Sequence, residues 1–339
     1  MSQLADPAAW IGPVAQEDAS WLLELTTEEV EEIDAALAAA RDRKLSVPFV
    51  ADDFPLKKVL DRLEQIHDVL QHGIGFVLLR GLPRERYSDD DCALIYWGLA
   101  VHLGRPVSQN TRGHLVGHVR DEGRSLNDAS VRGYQTSAKM DFHSDQLPVD
   151  ILGLFCLRTA KSGGASTLVS GLTVHDVLRS ERPDLLNVLY QSLNVDWRGE
   201  EQEGEQPWYS APMFGLVDEI LSCRVTSSQY YQSVARYGDQ LRMSEAQSEA
   251  VAMVQEIANR PELRLTMDFR DGDMQFLNNH VILHAREGFE DFTEPHLKRH
   301  LLRLWIESPK ARQRPLPSGM EERRSYVRQG GIAVKEKHK

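Results

Sequence analysis

Cysteine is scarce in this 339-residue chain. Cys92, Cys156 and Cys223 are the three present, and they lie far apart. That excludes a disulfide framework or a paired-cysteine zinc site, and it suits a reducing cytoplasm. Positive charge is also in the minority, with 39 Lys and Arg against 51 Asp and Glu for a formal net charge of −12. An acidic chain without a large basic patch is a poor nucleic-acid binder. No apolar run approaches the ~18 residues of a membrane span. The opening residues MSQLADPAAW lack the basic and apolar regions of a secretory signal. Repeats, low-complexity blocks and a GxSxG nucleophile elbow are absent, which removes solenoids and the commonest serine-hydrolase pattern. The expectation is a cytoplasmic globular protein that meets a small molecule, with no membrane or nucleic-acid partner.

What is present divides by texture. Thr26 and Glu29 form a capping box, followed by Val30, Ile33 and Leu37 at helical spacing. Leu56, Val59, Leu60, Leu63, Ile66 and Leu70 predict a second helix, stopped by Gly73 and Gly75. Residues 76–79 read as a short apolar strand ended by Gly81, Leu82 and Pro83. Ser88 and Asp91 open a third helix that Gly104 closes. Beyond residue 105, short strand-like runs alternate with glycine and polar turns at 151–157, 166–169, 263–269 and 300–306, as in a jelly roll or related double-sheet barrel. Asp271 and Gly272 read as a hairpin turn between runs 263–269 and 274–277. Helices return at about 173–191 and 244–258. Residues 199–206 (GEEQEGEQ) predict an exposed acidic loop, part of a lid. The Lys- and Arg-rich stretch after Pro309 reads as a solvated, loosely held tail.

Four segments can carry chemistry. His143 and Asp145 stand two residues apart, and in an extended chain alternate side chains point the same way. Both can then reach one metal ion, although a polar loop with a hydrogen-bonded histidine has the same spelling. His284 follows the run 274–277. Two imidazoles and one carboxylate leave three coordination positions free, the arrangement used by non-haem iron; zinc accepts the same donors. In the run 299–305, period two puts Arg299, Leu301, Arg303 and Trp305 on one face. A buried arginine needs an anion, either a protein carboxylate or a bound acid that its planar fork can grip. Finally, Gly163 and Gly164 lead into a short strand carrying Ser166 and Thr167, in isolation a common turn.

Taken in order, these pieces resemble the iron(II)- and 2-oxoglutarate-dependent dioxygenases of the taurine dioxygenase (TauD/TfdA)/clavaminate synthase-like superfamily. The resemblance runs from GIGFVLLRGLP at Gly73, through Gly104–Pro106, YQTS, DFHSD and SGGASTLVSG, to NNHVILHAREGF and RHLLRLWI. It implies an α+β fold, with a double-stranded β-helix (jelly-roll, cupin-type) core and flanking helices. Residues 1–104 would be a helical lead-in packed on that core. The core would span 105–308, with an inserted lid or helical region at about 173–260, and a basic tail would follow at 309–339, all one catalytic domain.

The resemblance also implies a site. His143, Asp145 and His284 match the iron ligands. Arg299, fifteen residues after His284, matches the arginine that clamps the far carboxylate of 2-oxoglutarate. Arg303 matches a second arginine that meets a substrate acid or supports the cosubstrate. The hydroxyl partner is usually threonine; here the register puts Ser166 there, with Thr167 beside it. Arg286 is a candidate for the pocket mouth or the surface, and Asn279 for orienting the turn before His284. Tyr134, Gln135 and Met140 are candidates for the substrate side or for ordinary structural roles. Trp208 and Tyr209 either close over substrate or anchor the loop, and Trp305 belongs to the core. The implied cofactors are Fe(II), 2-oxoglutarate and O2, and the implied products include succinate and CO2. Hydroxylation of an unactivated C–H is expected, with desaturation or cyclisation as variants. The substrate would be a small carboxylate-bearing metabolite or amino acid, or a sulfonate of the taurine type. A zinc hydrolase on the same ligands and a non-catalytic binding module are the readings of other classes.

Overall fold

The computed structural model describes residues 6–125, 131–308 and 314–335. After a short helix Gly12–Asp18, three longer amino-terminal helices follow, two of them starting where the capping signals stand. In Thr27–Asp42, Thr26 Oγ1 accepts the Glu29 N–H at 3.2 Å and the Glu29 carboxylate accepts the Thr26 N–H at 2.7 Å. Lys58–His72 buries Val59, Leu63, Ile66 and Leu70 as one stripe. Asp89–Leu103 starts on the Ser88–Asp91 capping box and ends at Gly104. A Cβ at Gly104 would lie 2.2 Å from the Glu307 carbonyl oxygen, so glycine here lets the helix end pass against the last strand. Among the described residues, no helix is long and apolar enough to cross a membrane.

Two of the sheets position the site, and among the described residues three further two-stranded pairs lie outside them. The larger has seven strands. Its order is Leu22–Glu24, Phe76–Arg80, Met274–Asn278, Ile151–Arg158, His300–Glu307 and Arg105–Val107, with Gly117–Val119 also paired to His300–Glu307. The smaller has four strands, in the order Leu265–Met267, Ser166–Ser170, Ile282–Arg286 and Met140–His143.

Alternation along the strands divides the large sheet between two cores. Val77, Leu79, Phe155, Phe276, Leu302 and Leu304 pack with the three helices above. Phe76, Leu78, Leu152, Leu277 and Trp305 join Phe142, Leu168 and Leu283 of the small sheet in one continuous cluster. The architecture is thus a mixture of helices and sheets, with the small sheet and part of the large one sharing an interior.

Several expectations change here. The helix expected over 173–191 is two, Gly171–Glu181 and Pro183–Leu189, because Pro183 lacks the N–H that would continue the first and instead starts the second. The 244–258 helix is present as Glu245–Ala258, capped by Ser244. The Asp271–Gly272 hairpin does not form. Leu265–Met267 pairs with Ser166–Ser170, whereas Met274–Asn278 pairs with strands of the large sheet. The turn is real, with Gly272 at φ 97°. Its flanking strands diverge into different sheets, because turn chemistry fixes a reversal and not the partner.

The carboxy-terminal stretch is not loosely held either. Helix Met320–Arg328 buries Met320, Arg323, Arg324, Tyr326 and Val327; residues 309–313 and 336–339 of that stretch lie outside the described residues. It was misread because its arginines are cationic yet face inward, where they bond to carbonyls and stack on aromatic rings.

The Ser88–Asp91 cap yields a pH prediction. The Arg41 guanidinium, with Ser88 adding two further hydrogen bonds, lowers the Asp91 carboxyl from 3.8 to about 2. A pKa depressed by folding adds stability above the unfolded value, and that stability is lost as pH falls through the folded one. Urea unfolding should therefore show Asp91→Ala about 1 kcal/mol less stable than wild type at pH 7, with the gap closing between pH 4 and 2. A gap independent of pH would contradict this.

Candidate metal centre

The small sheet pairs Ile282–Arg286 antiparallel to Met140–His143, with His284 directly opposite His143. Directly opposed residues share a face and sit closest, and the two imidazole centroids are 4.2 Å apart. Asp145 follows two residues on. One ligand atom from each of His143, Asp145 and His284 lies within 4.8 Å of the others. Small side-chain adjustments allow a single ion to reach all three.

The donor chemistry fits a divalent transition metal. His143 Nδ1 donates to the Asp141 carbonyl at 2.8 Å, which leaves the Nε2 lone pair available. His284 Nδ1 is buried without a hydrogen-bond partner. Burial, then the neighbouring His143, pushes the His284 imidazole down to about 3, and burial lowers His143 as well. Both rings are therefore neutral donors. Burial alone would raise the Asp145 carboxyl, but Arg303 foremost, and then the imidazoles and Trp305, hold it below the usual carboxylate range.

Asp145 is fastened from several sides. Arg303 Nη1 approaches one carboxylate oxygen at 3.3 Å and Trp305 Nε1 donates to the other at 2.5 Å. Its backbone N–H donates to Asn279 Oδ1 at 2.9 Å, while Asn279 Nδ2 donates to the Leu147 carbonyl at 3.1 Å. The next carbonyls accept from two buried arginines. Arg224 binds those of Asp145, Gln146 and Leu147, and Arg323 of the terminal helix binds Gln146. Asn279, expected to orient its own turn, instead ties the turn before His284 to the segment bearing Asp145.

Two cavities meet at these residues, and Tyr134, Met140, His143 and Arg303 line both. The inner one is also lined by Ser166, His284, Arg286 and Arg299. Ser166 pairs with Arg286 and Leu168 with His284, so Ser166 faces the same side as the histidine, while Thr167 pairs with Ala285 on the other. Arg299 is 4% exposed, and its Nη1 has no partner. The outer cavity adds Gln109, Arg132, Lys139, Arg198, Glu200 and Tyr230.

Of the residues singled out in the sequence, Tyr134 and Met140 line the cavities. Gln135 bonds to Glu122 at 2.9 Å and has a structural part. Trp208 and Tyr209 do not line either cavity; Tyr209 lies under the Arg323 guanidinium and anchors it. Trp305 is buried in the core but also holds Asp145.

Reading 199–206 as an exposed acidic loop missed Glu200, which turns inward to Arg132 at 3.3 Å. Burial raises its carboxyl, with Arg132, Arg303 and Arg198 acting against that rise. Arg198 and Arg132 both approach the Tyr230 ring, at 5.2 and 5.9 Å. Nothing in local spacing marked Arg132, Arg198 or Tyr230, because they come from three separate segments. The loop itself is held by the carboxy terminus, through Gln202 to Gln329 at 3.0 Å, Glu201 to Lys335 at 2.8 Å, and Glu205 to Tyr326.

Comparison with known proteins gives consistent matches. The model of the taurine catabolism dioxygenase TauD, TfdA family matches residues 41–305. FR-33289 synthase of Streptomyces rubellomurinus is 36% identical over 265 residues, 77% of this chain and 77% of its own. Taurine hydroxylase-like protein SAT17 of Stachybotrys chartarum is 30% identical over 315 residues, 89% of this chain and 79% of its own. Among solved structures, an asparagine oxygenase bound to Fe(II), 3-hydroxyasparagine and succinate aligns with TM-score 0.64 at 16% identity, over 85% of this chain and 93% of its own. The non-heme iron oxygenase OrfP with iron, succinate and (3S)-hydroxy-L-Arg aligns with TM-score 0.61 at 16% identity, over 85% and 94%. At such identities the structural likeness concerns the fold.

Asn279→Ala should cost about 1–3 kcal/mol in urea unfolding, because it strips buried backbone groups of their partners. It should also weaken Fe(II) binding, read by anaerobic metal titration. Unchanged metal affinity would mean that Asn279 does not position Asp145.

Proposed function

Because the chain belongs to the taurine catabolism dioxygenase TauD, TfdA family, an oxygenase family using Fe(II), 2-oxoglutarate and O2, we propose that it hydroxylates an unactivated C–H of a small acid-bearing metabolite, an amino acid foremost. The observation that carries this is the convergence of His143, Asp145 and His284 at the meeting of two cavities of different chemistry. We read residues 105–308 as the catalytic core, its two sheets as the halves of a double-stranded β-helix, and residues 1–104 as the helical lead-in.

His143, Asp145 and His284 would hold the iron. Three protein donors leave three positions free for a bidentate 2-oxo acid and oxygen. When bound, iron and 2-oxoglutarate supply the oxidising power: one oxygen atom leaves in succinate with release of CO2, and the other enters the substrate. The chain's own residues set the stage for this. The Asp141 carbonyl fixes the His143 tautomer. Arg303 and Trp305 fix the Asp145 carboxylate and keep it ionised. Arg299 and Ser166 line the cavity where the far carboxylate of 2-oxoglutarate would sit, and a guanidinium can grip that group as a fork.

The outer cavity suits the substrate. Arg132, Arg198 and Lys139 offer positive charge and Glu200 negative charge. A zwitterion with an acid group toward the arginines and an amine toward Glu200 matches both signs. The solved neighbours named above hold hydroxylated asparagine and arginine, which supports an amino-acid class. A sulfonate without an amine would meet the arginines but make no use of Glu200.

Anaerobic addition of 2-oxoglutarate to the Fe(II)-loaded protein should give a visible metal-to-ligand band. A panel of amino, carboxylic and sulfonic acids should then identify the class that perturbs it. His143→Ala, Asp145→Ala and His284→Ala should each abolish the band and substrate-dependent succinate formation in folded protein. Arg299→Met should weaken 2-oxoglutarate by about 1.5–3 kcal/mol, the worth of a charged hydrogen bond. Full activity of Asp145→Ala after iron removal would refute the assignment.

A further inference from the structure

Arg286 is more deeply placed than a residue at a pocket mouth. It is 7% exposed and lines the inner cavity with Ser166, His284 and Arg299. It stands directly across the sheet from Ser166 and two residues beyond His284 on the same face. One of its nitrogens, Nη2, is committed to the carbonyls of Thr136 and Ala138. Its Nε and Nη1 are buried without partners, as is Nη1 of Arg299. Both guanidiniums lie over the Phe289 ring, at 4.8 and 5.1 Å, so one aromatic side chain gathers them. Among the described residues, neither makes an ion pair. The acidic groups whose charge is felt at Arg286 are Asp121 and Asp291, and Asp291 instead takes the Arg299 backbone N–H at 2.7 Å.

Two neighbouring buried cations with three idle donor nitrogens are an unstable arrangement without an anion. Each repels the other, and each unpaired donor forgoes its hydrogen bond with water. A guanidinium is not deprotonated in proteins, so both side chains remain cations at neutral pH. A ligand carboxylate placed between them would offset both charges and accept a charge-assisted hydrogen bond from Nη1 of each.

We propose that Arg286 is a second clamp for the far carboxylate of 2-oxoglutarate, which is held jointly by Arg286, Arg299 and the Ser166 hydroxyl. The proposal rests on the oxygenase reading above. It makes the inner cavity selective for a dicarboxylate, because a 2-oxo acid ending in a methyl group would leave two buried cations unsatisfied. Arg286 is also a positioning residue, since its remaining nitrogen ties the ligand-binding strand to the carbonyls just before the Met140–His143 strand.

The test compares two acids of equal length. Fe(II)-loaded protein is titrated anaerobically with 2-oxoglutarate and, separately, with 2-oxopentanoate, which lacks the far acid; the visible band is the readout. Wild type should bind 2-oxoglutarate far more tightly. Arg286→Met should weaken 2-oxoglutarate by about tenfold or more, the scale of one charged hydrogen bond, and leave 2-oxopentanoate within about twofold, the error of one such comparison. Arg286→Lys, which keeps the charge but not the planar guanidinium, should fall between. It carries the test alone if the methionine variant does not fold. Parallel weakening of both acids, or an unchanged preference, would reduce Arg286 to a structural tie and overturn the proposal. A wild-type protein that gives no band with either acid would overturn the oxygenase reading, and this inference with it.

Discussion

The pairing of His143 with His284 across the small sheet is the constraint on which the site depends. These residues are separated by more than a third of the chain, and the antiparallel ladder alone brings their rings together. Period two then turns Arg286 and Ser166 to the same side, which makes the cavity beside the histidines cationic. A one-residue slip would send every one of these side chains to the opposite face. Leu283, Val169 and Phe142, on the opposite face in the shared core, resist that slip, so the packing that stabilises the sheet also fixes the chemistry.

Asp145 needs a different kind of support, because it stands beyond the end of its strand. Its segment runs through a buried region where backbone groups require partners. Asn279, Arg224 and Arg323 supply them from three distant parts of the chain. Arg323 belongs to the terminal helix, which also holds the loop carrying Glu200. The carboxy terminus is thereby tied both to the proposed ligand and to the wall of the outer cavity. An arginine in such a place does the work of a structural cross-brace, since it can donate to several carbonyls at once.

Much of this was legible from local signals. Capping boxes at Thr26 and Ser88 marked helix starts, because their hydrogen bonds close within three residues. His143, Asp145, His284, Arg299 and Ser166 were legible by resemblance, and the fold brings them together around adjoining cavities. What escaped depended on distant partners. The Asp271–Gly272 turn was read correctly as a reversal, but its strands join different sheets. The terminal arginines looked solvent-bound, since sequence shows charge and not the carbonyls and rings that receive it. Arg132, Arg198, Glu200 and Tyr230 form one cluster only after separate segments fold together.

The central claim is that His143, Asp145 and His284 hold one iron ion. Anomalous diffraction at the iron absorption edge, from crystals grown without oxygen in the presence of Fe(II), tests it most directly. A single strong peak within bonding distance of both imidazoles and the Asp145 carboxylate is the predicted result. A peak elsewhere, or none at that position in iron-loaded crystals, would contradict it.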